Sequence, residues 1–309
     1  GAPKAGTTAL ARWLSEHDAA FMTDPKEPFF FNDDFGAAPL RGARTWPQYL
    51  DLFASAPSNA RVLGEASPHY LASAMAVPRI RANFPDARFI AMLRNPVHIV
   101  IAIHNQRIRN GFENEFDLMT AWRQQAARRA GDVPPSFPNR DLAVYYEYGQ
   151  LGTQVRRLRA NLGGAALKLI WFDDLVTRPQ DVYAEVLAFL GLPHDGRHNF
   201  EKVNARKVLR SPQGQRAILT ASHGARRVKR RLGLSGAGTG LLRRLSDWNN
   251  KVGQPELLAP AVYEELAAAF CHEIEILEAE TGRDLAHWQR GEDVVETDPP
   301  GVLVPDTAI

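Results

Sequence analysis

The pentapeptide Lys4-Ala5-Gly6-Thr7-Thr8 places a cation, a small-residue turn and two hydroxyls side by side. Small residues let backbone N–H groups turn inward, and a helix that starts after such a turn adds the positive potential of its N-terminus. Lys4 contributes a mobile ammonium, and Thr7 and Thr8 contribute hydroxyl donors. The combination suits a phosphate or sulfate group. It is not the Walker A arrangement, where lysine directly follows glycine and precedes Ser or Thr; here Lys4 stands two residues before Gly6. Taken alone, the same residues also read as an ordinary helix cap beside a surface lysine.

Three further groups could do chemistry. Lys26-Glu27-Pro28-Phe29-Phe30-Phe31 sets a charge pair against an aromatic run. A carboxylate beside apolar rings loses solvation, which suits a general base. The plainer reading, a surface ion pair beside a core aromatic cluster, wins for the hexapeptide alone. Leu93-Arg94-Asn95-Pro96 closes an apolar run. An arginine at a strand end can fork onto a phosphate, or simply pair with a carboxylate. His69 in Ser67-Pro68-His69-Tyr70 could reach a substrate, although a capping or core histidine is the better fit. No cluster of His, Cys, Asp and Glu has metal-ligand spacing.

Positioning these residues needs strands that end where helices begin. Arg61–Glu65, Arg88–Leu93 and Leu167–Phe172 are short apolar runs that read as strands. Pro96–Asn110, Tyr146–Asn161, Pro179–Leu190 and Glu256–Thr281 carry helical spacing, with Gly191 and Gly282 as stops. Alternating strands and helices predict an α/β fold with a mostly parallel central sheet flanked by helices. A glycine turn into a helix is expected to follow a buried strand, so the first strand reads as truncated before Gly1. Residues 1–290 read as one domain, Ser235–Gly240 as a flexible link and residues 291–309 as a poorly ordered tail.

Composition narrows the class. The 309 residues are 45% hydrophobic and 23% charged, ordinary for a globular protein. No apolar stretch has the length of a membrane span, and no signal segment opens the chain. Cys271 is the one cysteine, which excludes an internal disulfide scaffold. The net charge of +2 hides an asymmetry, because Lys202 to Ser246 holds 12 basic and no acidic residues. Within it Arg226–Arg231 (RRVKRR) has no aromatic residue for base stacking and reads best as a solvated face.

The order KAGTTAL, KEPFFF, EASPHY and MLRNPV, followed by FEKVNARKVLRSP and GRDLAHW, resembles the sulfotransferases that use 3′-phosphoadenosine-5′-phosphosulfate. It is most similar to the branch containing heparan-sulfate sulfotransferase domains and bacterial relatives. The resemblance covers nearly the whole chain and implies a P-loop-like three-layer fold. It implies that Lys4, Ala5, Gly6, Thr7 and Thr8 hold the 5′-phosphosulfate, with Lys4 stabilising the leaving phosphate. It also implies that Glu27 is the catalytic base, that Arg94 binds the 3′-phosphate, and that Asn204, Arg206 and Lys207 belong to a loop closing over the nucleotide. No metal is implied. The family usually has serine eight residues after the arginine; Ala102 stands there, a loss of ~1 kcal/mol of net binding unless Asn105 or Arg107 substitutes. Phe29 and Asn32 replace the heparan branch's histidine and aspartate, and Ala66 replaces its lysine. With His69, Phe29 and Asn32 would face the acceptor, and they favour a less charged or more apolar hydroxyl compound. The resemblance implies a hydroxyl-bearing acceptor (carbohydrate, glycolipid or small molecule). No nucleic-acid partner is expected, peripheral contact through the basic segment is left open, and a cytoplasmic location is expected from the missing signal, the single cysteine and the nucleotide donor. Two alternatives stand beside it: a P-loop kinase or nucleotide hydrolase, which would need GK[ST], and a catalytically degenerate member that binds nucleotide or polyanion.

Overall fold

The structure is a computed structural model that describes residues 1–35, 42–162, 166–200, 207–211, 213–221, 240–252 and 258–291. Its first half runs α1 (Thr7–Ser15), β1 (Ala20–Met22), α2 (Trp46–Asp51), β2 (Val62–Gly64), α3 (Ala76–Asn83), β3 (Phe89–Leu93) and α4 (Pro96–Arg109). Short helices α5 (Leu118–Arg123), α6 (Gln125–Ala130) and α7 (Tyr146–Gly149) lead to α8 (Leu151–Leu162) and β4 (Leu167–Trp171). Then come α9 (Phe172–Thr177), α10 (Pro179–Leu190), β5 (Lys207–Leu209) and α11 (residues 213–221). The described chain closes with α12 (Gly240–Asn249), β6 (Asn250–Val252), α13 (Pro260–Thr281) and α14 (Ala286–Arg290).

The fold is α/β, with parallel strand pairs and helices around them. β1 pairs with β2 and β3 with β4, both parallel, whereas β5 and β6 pair antiparallel. Ahead of α1, the Ala2 N–H donates to the Met92 carbonyl at 2.7 Å, so the chain entering the Lys4 turn lies against β3. The carboxyl ends of β1, β2, β3 and β4 then deliver Lys26-Glu27, Glu65, Arg94 and Phe172. In parallel α/β sheets that edge is where ligands collect.

The elements form for local reasons. β3 (FIAML) is buried at Ala91, Met92 and Leu93, and its register with β4 runs from Phe89–Leu167 to Leu93–Trp171. Asn95 caps α4 by accepting the Val97 N–H at 2.9 Å, with Pro96 at the first helical position. α10 begins at Pro179 and ends at Gly191, whose φ of 71° is a conformation glycine takes freely. One large core joins α1, α4, α8, α10 and α13 around β3 and β4 through Leu14, Leu93, Val100, Val155, Val186 and Phe270. A smaller aromatic core, around Phe31, Tyr49 and Ala76 with Phe30 and Tyr70 against it, sits beside the segment after β1.

Several boundaries differ from the sequence expectation. Arg61–Glu65 pairs only as Val62–Gly64, limited by the three-residue partner β1, which its few residues hid from pattern reading. Tyr146–Asn161 is not one helix: Gln150 leaves helical geometry (ψ 51°), and the Gln154 side chain bridges the break by donating to the Glu147 carbonyl at 2.7 Å. The expected Glu256–Thr281 helix begins at Pro260, where proline sets the first turn. Gly240, read as part of a link, opens α12. Arg226–Arg231 and residues 292–309 lie outside the described residues.

α8 meets α13 closely because Gly152 has no side chain. A Cβ there would stand 2.2 Å from the Glu273 carbonyl oxygen and 2.6 Å from Ile276 Cβ. The buried Glu273 carboxylate in turn accepts the Thr153 N–H and hydroxyl, each at 2.8 Å, closing the open start of α8. Gly152→Ala is therefore expected to cost ~2 kcal/mol through overpacking against backbone. A thermal melt checks this; an unchanged midpoint would show that the two helices can separate freely.

Candidate functional site

The turn from Ala2 to α1 is strained where its chemistry lies. Lys4 has φ 63° and Gly6 φ 84°, and among the described residues the only non-glycine residues with positive φ are Lys4 and Phe29. Backbone strain of this kind costs ~1–3 kcal/mol per residue and clusters at functional sites. Gly6 is the N-cap of α1, and its carbonyl accepts the Ala9 and Leu10 N–H groups at 3.0 and 3.2 Å. The first-turn amides, including those of Thr7 and Thr8, have no partner within the helix by its geometry. A Cβ on Gly6 would meet Leu175 Cδ2 at 2.5 Å, so the turn can pack on α9 only with glycine there. Ala5 is fully buried beneath it.

Positive charge concentrates at this turn. Arg94, at the end of β3, donates to the Lys4 carbonyl at 2.9 Å, and its guanidinium lies 4.1 Å over the Phe172 ring. Lys4 is half-buried. Desolvation, then Arg109 and Arg107, push its pKa down to about 8, with Glu27 opposing and Arg94 adding to the fall. Arg107 is buried; it donates to the Tyr148 hydroxyl at 3.1 Å, and its Nε has no partner. A half-buried ammonium with guanidinium groups near it favours an anion beside it.

The opposite wall comes from the segments after β1 and β2. The Ala66 N–H donates to the Lys26 carbonyl at 3.0 Å, and the Lys26 ammonium donates to the Ala66 carbonyl at 3.3 Å while pairing with Glu27. The Glu27 side chain keeps 36% of its exposure, whereas Glu65 is the carboxyl that burial affects most here. Burial pushes that carboxyl up to about 7, against hydrogen bonds from Ser67, Tyr70 and Tyr49 and the charge of Lys26. Phe29 lies 5.0 Å from the His69 ring, and its N–H donates to Ser67 Oγ at 3.1 Å. His69 is held neutral, its pKa depressed to about 3 by burial and by Arg107, and its Nδ1 is enclosed without a partner. Asn32 is buried and spends its amide donor on the Phe35 carbonyl of its own turn.

The structure thus brings Lys4, Ala5, Gly6, Thr7, Thr8, Glu27, Arg94, Phe29 and His69 to one edge of the strands. Asn204 and Arg206 lie outside the described residues, and so does the side chain of Lys207, whose backbone opens β5 opposite Val252. Ala102 is on α4, as is Arg107, which faces Lys4 and His69. Sequence reading missed Arg109, offered Arg107 only as a stand-in for the family's serine, and quoted Glu65 within EASPHY without a role. A separate cavity of about 180 Å³ lies between β4, α10 and Arg283. Its charges are already matched, Arg178 to Asp174 and Glu185, and Arg283 to Asp174. Among the described residues no cluster of His, Cys, Asp and Glu could hold a metal ion, and no helix is long and apolar enough to cross a membrane.

Three findings from known proteins bear on this geometry. A sequence profile described as the sulfotransferase family matches residues 38–196, a stretch that includes Glu65, His69 and Arg94 and begins after Lys4 and Glu27. The membrane-associated sulfotransferase kil1 of Dictyostelium discoideum is 31% identical over 97 residues, which is 31% of this chain and 20% of that protein. The chain therefore matches about a fifth of that curated relative's length. The crystal structure of a sulfotransferase from Alicyclobacillus acidocaldarius aligns with a TM-score of 0.66 at 24% identity, covering 94% of this chain and 96% of that one. At that identity the likeness establishes the shared fold.

The lysine's depressed pKa sets a pH signature. Its folded value lies below the ordinary 10.5, so between about 8 and 10.5 the unfolded chain binds more protons and this group's contribution to stability rises with pH. Anion binding runs the other way, because the ammonium is lost as pH rises through about 8. The thermal stabilisation given by a fixed concentration of inorganic sulfate is expected to shrink from about pH 7 to about pH 9, and Lys4→Met to lose that pH dependence. Stabilisation that is flat with pH in the wild type would remove Lys4 from the anion site.

Proposed function

Because the chain belongs to the sulfotransferase family, we propose that it moves a sulfuryl group from 3′-phosphoadenosine-5′-phosphosulfate to an acceptor hydroxyl. The observation that carries this reading is the half-buried Lys4 at the turn into α1, with Arg94 donating to its carbonyl and burial, Arg109 and Arg107 lowering its pKa. The residues present fit the donor: a strained small-residue turn, free first-turn amides, two threonine hydroxyls and a concentration of cations suit its phosphosulfate end. Arg94 is the residue for the nucleotide's 3′-phosphate. Its stacking on Phe172 fixes the guanidinium plane in advance of binding. When bound, the donor supplies the activated sulfur–oxygen bond.

The chain's residues divide the remaining work. Glu27 takes the proton of the acceptor hydroxyl as that oxygen approaches sulfur. Lys26 holds Glu27 by direct pairing and is itself anchored to the Ala66 carbonyl, which fixes the carboxylate at the end of β1. Lys4 and the N-terminus of α1 face the oxygen that gains charge as the sulfuryl group departs. They are already oriented by the fold, so little reorganisation is needed at that moment. Phe29 and His69, the latter neutral, form an aromatic wall with Tyr148. Such a wall favours an apolar or weakly charged acceptor over a polyanion. A nucleotide donor of this kind also supports a cytoplasmic location.

The rival reading, a kinase or nucleotide hydrolase, lacks the GK[ST] sequence at its turn. A thermal-shift comparison separates the two: 3′,5′-adenosine bisphosphate is expected to stabilise the protein and ATP with magnesium to do so far less. A response to ATP alone would sink the sulfotransferase reading. Glu27→Gln is expected to cost at least about 100-fold in transfer while leaving bisphosphate affinity within about twofold. Lys4→Ala should lose more rate than affinity. Equal losses would make Lys4 a binding residue only, and retained turnover in Glu27→Gln would remove Glu27 as the base.

A further inference from the structure

The enclosed carboxyl of Glu65 is not used by the transfer chemistry, yet three side chains converge on it. The Ser67 hydroxyl donates to Oε2 at 2.6 Å and the Tyr70 hydroxyl to Oε1 at 2.8 Å. Tyr49, on α2, also faces it. A hydroxyl has one proton. With that proton committed to Glu65, each of Ser67 and Tyr70 presents a lone pair elsewhere, and each lone pair is taken by the segment that carries the base. The Phe29 N–H donates to Ser67 Oγ at 3.1 Å, and the Phe31 N–H donates to the Tyr70 hydroxyl at 3.3 Å. Phe29 is one of the two strained residues, with φ 50°, so these bonds hold a conformation that the backbone would otherwise leave.

We propose that Glu65 is a positioning residue: through Ser67 and Tyr70 it sets the course of Glu27–Phe31 and so aims the base and the aromatic wall of the acceptor site. The role of Glu27 in this statement rests on the sulfotransferase reading; the two-hydroxyl relay does not.

The relay is built to respond to pH. Glu65 is pushed up to about 7 by burial, which the hydrogen bonds and Lys26 counter only in part. The groups facing it are Ser67 and Tyr70 from its own turn, Tyr49 from α2, Lys26 from the segment after β1, and the Gly1 amino group, whose pKa burial lowers to about 5. Near pH 7 Lys26 is the cation of this set, and it is shared with Glu27. As pH falls through about 7 the carboxyl gains a proton and becomes a donor at one oxygen. It then no longer accepts from both hydroxyls in the same way, and the hold on Phe29 or Phe31 weakens. As pH rises above that value the carboxylate orders both. The ring contacts between Phe31 and Tyr49 (5.0 Å) and between Phe31 and Tyr70 (6.0 Å) keep the smaller core assembled in either state. The effect is therefore local.

Residue-resolved amide exchange tests the relay directly. In the wild type, protection of the Phe29 and Phe31 amides, corrected for intrinsic rate, is expected to fall about tenfold as pH drops through about 7. In Glu65→Gln it should be low and flat with pH. Amides of α4 and α13 serve as the folding control. Ser67→Ala should expose Phe29 alone and Tyr70→Phe should expose Phe31 alone, which guards against a Glu65 variant that fails to fold. The same proteins are assayed for bisphosphate affinity and for bisphosphate release from the phosphosulfate donor with water as acceptor. The expected result is a kcat loss of about tenfold in Glu65→Gln with bisphosphate affinity unchanged. Wild-type protection and pH response in Glu65→Gln would overturn the relay, and lost protection with kcat retained would overturn the positioning role. A wild type that binds no bisphosphate, with the exchange pattern as expected, would overturn the donor reading and leave the relay standing.

Discussion

A half-buried lysine placed among arginines is the constraint on which this fold turns. Lys4 loses hydration on folding, and Arg94, Arg107 and Arg109 add like-charge repulsion that Glu27 only partly offsets. Burying Lys4 beside these charges disfavours its charged form, and packing around the turn holds it there. The holding parts can be named. Ala5 is buried under the turn, Gly6 sits against Leu175, and Arg94 is locked over Phe172 while donating to the Lys4 carbonyl. Charge, strain and packing thus meet in the same few residues. A bound phosphate or sulfate reverses the sign of the electrostatic cost.

The parallel strands explain how distant residues reach that point. β1 and β2 end together and bring Lys26-Glu27 beside Glu65-Ala66, while β3 and β4 end together and bring Arg94 beside Phe172. The two walls differ in material. One wall, proposed for the donor, is a cationic turn on the main core. The other, proposed for the acceptor, is an aromatic segment resting on the smaller core of Phe31 and Tyr49, with the Glu65 carboxyl behind it. Membership of the sulfotransferase family gives both walls a use, since sulfuryl transfer needs charge stabilised on one side and a hydroxyl oriented on the other.

The legible parts of the sequence were those with local signals. Pro179–Leu190 is observed with its expected ends because proline and glycine mark them chemically. The strand ending at Leu93 was visible as a dense apolar run, and the Lys4 turn as a cation beside small residues. The break at Gln150 was invisible because Leu151, Val155 and Leu158 keep helical spacing on its far side. β1 was invisible because three residues carry no period. Glu65 was quoted in its motif but its role was hidden, since burial depends on Tyr49 and Tyr70, which approach it only in the folded chain. Loss of solvation was expected at Glu27 from its phenylalanine neighbours, yet adjacency in sequence did not become enclosure in space: Glu27 pairs with Lys26, and the enclosed carboxyl lies across the strand ends.

The central claim is that the turn at Lys4 and the arginine at the end of β3 hold the two ends of one doubly phosphorylated nucleotide. A crystal structure with 3′,5′-adenosine bisphosphate tests it most directly. The account predicts the 5′-phosphate against the Lys4 ammonium and the first amides of α1, and the 3′-phosphate within hydrogen-bond reach of the Arg94 guanidinium. A nucleotide bound elsewhere, with both groups left in their present contacts, would contradict it.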